Sequence, residues 1–156
     1  MEFSQITDSL FIGTTPRSDD YEVLRQLGVH LIINMRLERR PHPDRHESPI
    51  PVLWLPAIDS PFFPIPLRFL KKGAIVALET IRQGGKVYVH CAKGIHRGVA
   101  MGAAILIALG HPLDEAIQLI VEGRSVADPH IWYIRRRIQL FSKHWSDSGG
   151  LKASVT

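Results

Sequence analysis

The sequence predicts an α/β fold in which a short, mostly parallel central sheet is flanked by helices in a three-layer sandwich. Apolar runs of strand length alternate along the chain with segments whose apolar residues recur every three or four positions. The run 30–35 is almost entirely apolar, as is usual for a parallel strand covered on both faces. Three helical segments follow the last predicted strand and complete the pattern.

The first part of the chain predicts a strand, a helix and a second strand. Residues 9–13 have the β-branched and aromatic content of a short strand, and a turn follows them. A helix begins near Asp19 or Asp20, either of which can act as its N-cap, and Gly28 ends it. The apolar run 30–35 forms the next strand.

The middle of the chain contains two irregular loops. Residues 36–51 carry four prolines and many charges, which indicates a loop, and 52–55 supply another short strand. The proline-rich segment 57–66 forms a second loop around Asp59. Apolar residues at helical spacing predict an amphipathic helix over 67–82.

The last part of the chain leads from a strand into a series of helices. Residues 86–90 alternate like a central strand and continue directly into 91–97. The segment 98–109 is so rich in small and apolar residues that its helix must be almost entirely buried. Further helices are predicted over 113–122 and 129–144.

Length and composition indicate one soluble domain. The chain has 156 residues, of which 45% are hydrophobic and 22% charged, near the averages for globular proteins. We expect a single domain over residues 1–145 and a disordered tail over 146–156, where no apolar periodicity remains.

The charge and the apolar runs limit the kinds of partner. A net charge of +4 favours anionic ligands but is too small for the dense basic stripe of a nucleic-acid binder. No apolar run is long enough to span a bilayer, and no signal-peptide pattern is present. We therefore expect a cytoplasmic monomer without a membrane or nucleic-acid partner.

The single cysteine, Cys91, carries the strongest functional signal. It excludes an intramolecular disulfide and a multi-cysteine metal site. It lies between a predicted strand and a predicted helix, where free amides and the helix dipole favour an anion and stabilise a thiolate. Arg97 adds a planar fork for two phosphate oxygens, and Gly94 lets the backbone approach a ligand closely. These features favour a nucleophile over an inert buried cysteine.

The segment from His90 to Arg97, His-Cys-Ala-Lys-Gly-Ile-His-Arg, resembles the HCxxGxxR signature of the tyrosine and dual-specificity phosphatases. Residues 10–13, 32–36 and 56–59 also resemble the early strand, second strand and acid loop of this family. The likeness covers roughly residues 9–140. It implies the phosphatase fold, thiolate attack on phosphorus, and a phosphocysteine intermediate hydrolysed by water, without a metal or other cofactor.

The resemblance also implies roles for individual residues. The family takes its general acid from an aspartate on a mobile loop upstream of the signature, and Asp59 fits this position. An Asx turn or a helix cap is the alternative role for Asp59, and Asp44 is the fallback acid. His90 is expected to support the loop structurally. The substrate-binding residues are expected to be Ala92, Lys93, Gly94, Ile95, His96 and Gly98.

Gly98 departs from the family pattern, which usually has serine or threonine after the arginine. That hydroxyl normally assists the cysteine as leaving group, so breakdown of the phosphoenzyme is expected to be slow unless a water or another side chain, such as Ser125 or His96, replaces it. Phosphate binding is less affected.

We expect a phosphatase acting on phosphotyrosine, with phosphoserine and phosphothreonine in proteins, or small phosphate esters, as further substrates. The alternatives are a phosphate-binding module without turnover, or a phosphatase of non-protein substrates such as a phosphoinositide or an RNA 5′-phosphate. A rhodanese or arsenate reductase is disfavoured, because no second thiol is present and Asp59 would have no role. The loop 36–51 is the expected wall of the substrate cleft.

Overall fold

The structure, a computed structural model, describes residues 1–150. Its strands and helices alternate through the first part of the chain, and three helices follow the last strand. The strands are β1 (Phe3–Thr7), β2 (Leu10–Gly13), β3 (Val29–Arg36), β4 (Val52–Ala57) and β5 (Lys86–His90). The helices are α1 (Tyr21–Gln26), α2 (Leu67–Arg82), α3 (Arg97–Ala108), α4 (Leu113–Gly123) and α5 (Trp132–Asp147), with a 3-10 turn at Ser18–Asp20.

The five strands form one sheet in the order β1-β2-β5-β3-β4. Strands β2, β5, β3 and β4 pair in parallel, and β1 pairs antiparallel with β2 at one edge. The predicted mostly parallel α/β sheet is confirmed. Strand β1 was not predicted, and its residues are only partly buried because it lies at the sheet edge.

Helices cover both faces of the sheet. Side chains alternate along each strand, so Ile33 and Val89 join a core under α2 to α5, whereas Ile32 and Tyr88 join a smaller core under α1. Every residue of α3 is buried, as its small and apolar composition predicts. Because the parallel strands end at the same sheet edge, the loops after β3, β4 and β5 meet there.

Three boundaries differ from the sequence-based predictions by two residues or more. Strand β4 continues through Pro56 and Ala57, because it is an edge strand and an edge tolerates proline. Helix α5 begins at Trp132, three residues later than predicted, because Asp128 Oδ1 accepts the amides of His130 and Ile131 in a turn before it.

Helix α5 also continues through Ser146 and Asp147, which had been assigned to the tail. The part of that predicted tail beyond residue 150 lies outside the described residues. Among the described helices, none combines the length and the apolar composition that crossing a bilayer requires.

Candidate active site

The loop between β5 and α3 is folded around the Cys91 side chain. Gly94 has φ of +64°, a conformation that L side chains rarely adopt, and its amide donates to Cys91 Sγ at 3.3 Å. A Cβ on Gly94 would lie 2.8 Å from the carbonyl oxygen of Gly13. Glycine is therefore required here both for backbone conformation and for space, and its amide supplies a donor that stabilises negative charge on sulfur.

Arg97 begins α3 and is held by Glu38. Its Nη1 and Nη2 donate to the two carboxylate oxygens at 2.8 and 2.9 Å, and Nη1 also donates to the Ala57 carbonyl at 2.9 Å. Hydrogen bonding from Arg97 lowers the pKa of Glu38 to about 2, so the pair stays ionic at neutral pH. Arg97 Nε is buried and has no partner within residues 1–150. A buried cationic donor without a partner is suited to an anion oxygen.

Asp59 is fixed between two neighbours. Tyr133 Oη donates to Asp59 Oδ1 at 2.8 Å, and His96 Nδ1 lies 3.0 Å from Asp59 Oδ2. Burial, and then the hydrogen bond to Asp59, raise the pKa of Tyr133 to about 12, so this phenol remains a donor at neutral pH. The other nitrogen of His96 lies 3.9 Å from Asp128. The Asp59 carboxyl is thus positioned by α5 and by the loop after β5.

These side chains share one cavity of about 220 Å³. Its lining brings together the residues predicted as nucleophile, clamp and acid with four of the predicted substrate-binding residues: Asp59, Cys91, Ala92, Lys93, Ile95, His96 and Arg97. Gly94 and Gly98 do not line the cavity and lie beneath it against Cys91. The arrangement combines a sulfur nucleophile, an anion site and a carboxyl in one water-accessible space.

Asp44 lies elsewhere and has a structural role. Its carboxylate pairs with Arg25 and accepts the Ile50 amide at 2.9 Å. Burial raises the pKa of Asp44, but the hydrogen bonds from these partners lower it by more, so the pKa lies below its ordinary value. The fallback assignment of Asp44 as the acid is therefore wrong.

The loop 36–51 forms only part of the cleft wall. Leu37 and Glu38 border the site beside Arg97. Further along, the His42 carbonyl accepts from Tyr21 Oη in α1, and the Asp44 pairing with Arg25 also anchors the loop to α1. The prediction of this loop as the cleft wall is correct only for its first residues, because Tyr21 and Arg25 anchor its later part to α1.

A buried arginine braces the Cys91 loop from below. Arg124, which is 1% exposed, donates from Nε to the Gly94 carbonyl at 2.8 Å and from Nη2 to the Lys93 carbonyl at 3.0 Å. Its Nη1 donates to Glu2 at 2.9 Å and to Ser4 at 3.1 Å. Turning these carbonyls away from the cavity leaves the loop amides free for an anion.

A second support lies on the other side of the loop. Arg36 donates to Glu38 at 2.9 Å and to Thr15 Oγ1 at 2.8 Å, and Thr15 Oγ1 donates to the Cys91 carbonyl at 3.3 Å. Arg97 is thereby linked to the Cys91 backbone through charged and hydroxyl groups. No local motif in the sequence singles out Thr15, Glu38, Arg124 or Tyr133, so their roles at the site were not predicted.

His90 is the buried last residue of β5, with its ring centroid 6.1 Å from that of Tyr88. Burial lowers its pKa to about 3, so it is neutral at physiological pH. This burial is consistent with the expected structural role and argues against a proton-transfer role at neutral pH.

The His90 environment predicts acid-sensitive stability. The unfolded chain binds a proton at His90 below about pH 6.5, whereas the folded chain does not bind it until about pH 3. The free energy of unfolding therefore decreases as the pH is lowered from about 6.5 to about 3. Between pH 7 and 5 this single group should cost about 2 kcal/mol of unfolding free energy. Urea unfolding at both values checks this against His90→Asn, in which the acid loss should be smaller by that amount. An identical acid loss in both proteins would contradict the assignment.

Known proteins of one family are similar to this chain in sequence. Residues 10–143 match the family model described as the dual specificity phosphatase catalytic domain. Mouse dual specificity phosphatase 28 is 29% identical over 132 residues, which cover 84% of this chain and 78% of that protein. The chain spans 65% of the length of the mouse and human dual specificity protein phosphatases 26 that it also matches.

Solved structures agree with the fold. A mouse dual specificity phosphatase in complex with zinc tungstate superposes with a TM-score of 0.83 at 26% identity, covering 94% of this chain and 90% of that one. PTPMT1 in complex with PI(5)P superposes with a TM-score of 0.82 at 23% identity, covering 94% and 98%. The second likeness is one of fold.

Proposed function

The chain belongs to the dual specificity phosphatase family and is a cysteine-dependent phosphatase, and we propose that it hydrolyses phosphate monoesters through a phosphocysteine intermediate on Cys91. The observation that carries this proposal is the cavity in which Cys91, Asp59 and the unpartnered Nε of Arg97 meet. Phosphotyrosine proteins are the proposed main substrates. Phosphoserine, phosphothreonine and small phosphate esters are further ones.

The proposed reaction has two steps. Cys91 thiolate attacks phosphorus and forms an S–P bond while the ester P–O bond breaks, and protonated Asp59 gives its proton to the leaving oxygen. Water then attacks the phosphocysteine, Asp59 takes a proton from it, and the thiolate leaves. Arg97 Nε and the loop amides hold the phosphoryl oxygens throughout, where their preorganised positive charge stabilises the transition state.

The acid role of Asp59 is tested by hydrolysis of p-nitrophenyl phosphate without metal across about pH 5 to 8. Asp59→Asn keeps the size of the side chain and removes its proton, so kcat should fall on the order of 10² to 10³-fold, and the pH dependence due to the acid should disappear. Asp128→Asn is the matched control, because Asp128 also lies near His96 but does not line the cavity. Equal losses in both variants would contradict the assignment of Asp59.

The glycine at position 98 predicts slow breakdown of the intermediate. A Cβ added there would lie 3.5 Å from both the backbone nitrogen and the Sγ of Cys91, so a serine fits without displacing the loop. Gly98→Ser should raise the rate of dephosphorylation of the intermediate about tenfold, because its hydroxyl can donate to the departing sulfur. Gly98→Ala is the size-matched control in pre-steady-state assays. Equal rates for the serine and alanine variants would exclude a hydroxyl effect.

A phosphate-binding module is the second candidate function, and Gly98 is the observation that favours it. In that case the protein binds phosphate or vanadate but releases no product. We further propose that the protein acts as a cytoplasmic monomer, since a reducing compartment keeps its single thiol free.

A further inference from the structure

Exposed apolar side chains lie on the segments that carry or adjoin residues of the catalytic site. Eight large hydrophobic residues are strongly exposed in the described part of the chain, and five of them lie on these segments. We call these five the rim surface: Leu37 after β3, Ile58, Phe62 and Phe63 after β4, and Trp132 at the start of α5. Apolar surface concentrated in one region of a soluble domain marks an interaction site.

Two depressions join the rim surface to the site. Leu37 and Ile58 line a cavity of about 350 Å³ that also contacts Asp59 and Arg97. On the α5 side, a groove of about 560 Å³ runs between the loop after β4 and α5. Its apolar lining consists of Pro61, Pro64, Trp132 and Leu140. A ligand seated on the rim surface therefore faces the catalytic cavity.

Phe62 and Phe63 project from a fixed turn. They are 85% and 59% exposed. Ser60 Oγ accepts the Phe62 amide at 3.1 Å, and the Ser60 carbonyl accepts the Phe63 amide at 3.3 Å. Prolines on either side of the pair stiffen the backbone further. Two aromatic rings held outward in this way can enter an apolar medium with little additional loss of backbone freedom.

The groove beside these rings is cationic. Its charged lining residues are Arg136, Arg137 and Lys143, with no carboxylate among the lining residues. Burial, and then the neighbouring Arg136, lower the pKa of Arg137. Helix α5 contains a single acidic residue, at its last position. This part of the surface is complementary to a negatively charged partner.

We propose that the rim surface docks the protein on an anionic lipid bilayer, with Phe62 and Phe63 inserted at the interface and the groove cations against anionic headgroups. Aromatic side chains next to lysine and arginine match the chemistry of the bilayer interface. In the docked state, a phosphate monoester on a lipid headgroup then reaches Cys91 as a further substrate beside phosphotyrosine proteins. This substrate assignment rests on the proposed function, whereas docking itself does not.

The sequence-based expectation of no membrane partner depended on the lack of an apolar run long enough to span a bilayer. That pattern excludes a span and does not bear on attachment from one side. Peripheral docking through a loop and a helix face needs only a few exposed apolar residues and adjacent cations.

Co-sedimentation with vesicles tests the docking. The Cys91→Ser protein should bind vesicles of phosphatidylcholine with phosphatidylserine and not vesicles of phosphatidylcholine alone. Phe62→Ser/Phe63→Ser should lower the affinity about tenfold or more, because two aromatic side chains no longer leave water. Val23→Ser is the matched control, since Val23 is 44% exposed but lies on α1 across the sheet. Because the Cys91→Ser protein lacks the nucleophile, this result does not depend on catalysis.

Activity at the vesicle surface tests the substrate class. A phosphoinositide monophosphate embedded in anionic vesicles is compared with its short-chain, water-soluble form, in proteins with Cys91 intact. The rate on the embedded form divided by the rate on the water-soluble form should fall about tenfold in Phe62→Ser/Phe63→Ser and stay constant in Val23→Ser. Arg136→Ala/Lys143→Ala should lower the same ratio and weaken its dependence on salt.

Several results would overturn the proposal. One is absence of binding to anionic vesicles at low salt, and another is an equal loss in Val23→Ser. Saturable binding of soluble phosphopeptides that depends on Phe62 and Phe63, without vesicle binding, would assign the surface to a protein partner instead. Vesicle binding in a protein that hydrolyses p-nitrophenyl phosphate but neither phosphoinositide form would leave docking intact and contradict the lipid substrate. Loss of p-nitrophenyl phosphate hydrolysis as well would contradict the proposed reaction on Cys91.

Discussion

Replacing Cys91 by serine is expected to reduce hydrolysis of p-nitrophenyl phosphate by on the order of 10⁴-fold or more. A serine hydroxyl is almost fully protonated at neutral pH, and the Gly94 amide that contacts this position is a donor, which cannot take up the hydroxyl proton. The Gly94 amide, 3.3 Å from Sγ, stabilises a charged nucleophile and gives little help to a neutral hydroxyl. Steady-state assays of both proteins measure the loss.

The variant should keep its fold and its anion site. Cys91 is 3% exposed, and serine is smaller, so the core is disturbed little. Arg97 Nε and the loop amides remain, and vanadate or phosphate binding should persist within a few fold of the original protein. Residual activity above about 1% would contradict the assignment of Cys91 as nucleophile, because no other cysteine is present.

Replacing Arg124 by methionine is expected to lower both stability and activity, although Arg124 does not line the catalytic cavity. The substitution leaves the carbonyls of Gly94 and Lys93 without their donors and should cost about 3 kcal/mol of unfolding free energy. Because the loop amides lose their orientation, kcat/KM should also fall on the order of 10²-fold. Urea unfolding and phosphatase assays check the two effects.

Two further variants distinguish the hydrogen bonds from Arg124 to the loop carbonyls from the effect of its charge. Glu2→Gln removes the charged partner of Arg124 at 2.9 Å, but Glu2 is exposed, so stability and activity should change little. Arg124→Lys keeps the charge but replaces the two separate nitrogens that donate to the carbonyls with one ammonium group, and its activity should fall between those of the original protein and the methionine variant. Full activity in Arg124→Met would contradict the proposed bracing of the loop.

Much of the fold could be predicted from the sequence because its signals are local. Helix α2 and strand β5 have the predicted bounds, since apolar spacing defines the helix and Gly84 and Gly85 separate it from the strand. Strand β1 was missed because an edge strand needs little apolar alternation. Helix α1 is short because its first predicted turn is a 3-10 turn, in which Asp20 accepts the Arg17 amide at 2.8 Å.

The site could be predicted only in part. Cys91 and Arg97 belong to one continuous motif, and Asp59 follows a strand that ends at the same sheet edge. Glu38 and Arg124 reach the Cys91 loop from other elements, 59 residues from Arg97 and 30 residues from Gly94 respectively. Contacts between such distant positions depend on the folded arrangement and leave no periodic pattern in the sequence.

The most direct test of the account is to identify the residue that carries phosphate during turnover. The protein is mixed with a labelled phosphate ester near pH 6, quenched in acid within milliseconds, and digested for peptide mapping. Because Gly98 is expected to slow breakdown of the intermediate, a label approaching one phosphate per protein should appear on the peptide that contains Cys91. Turnover with no labelled protein, or with the label on another residue such as His96, would contradict the account.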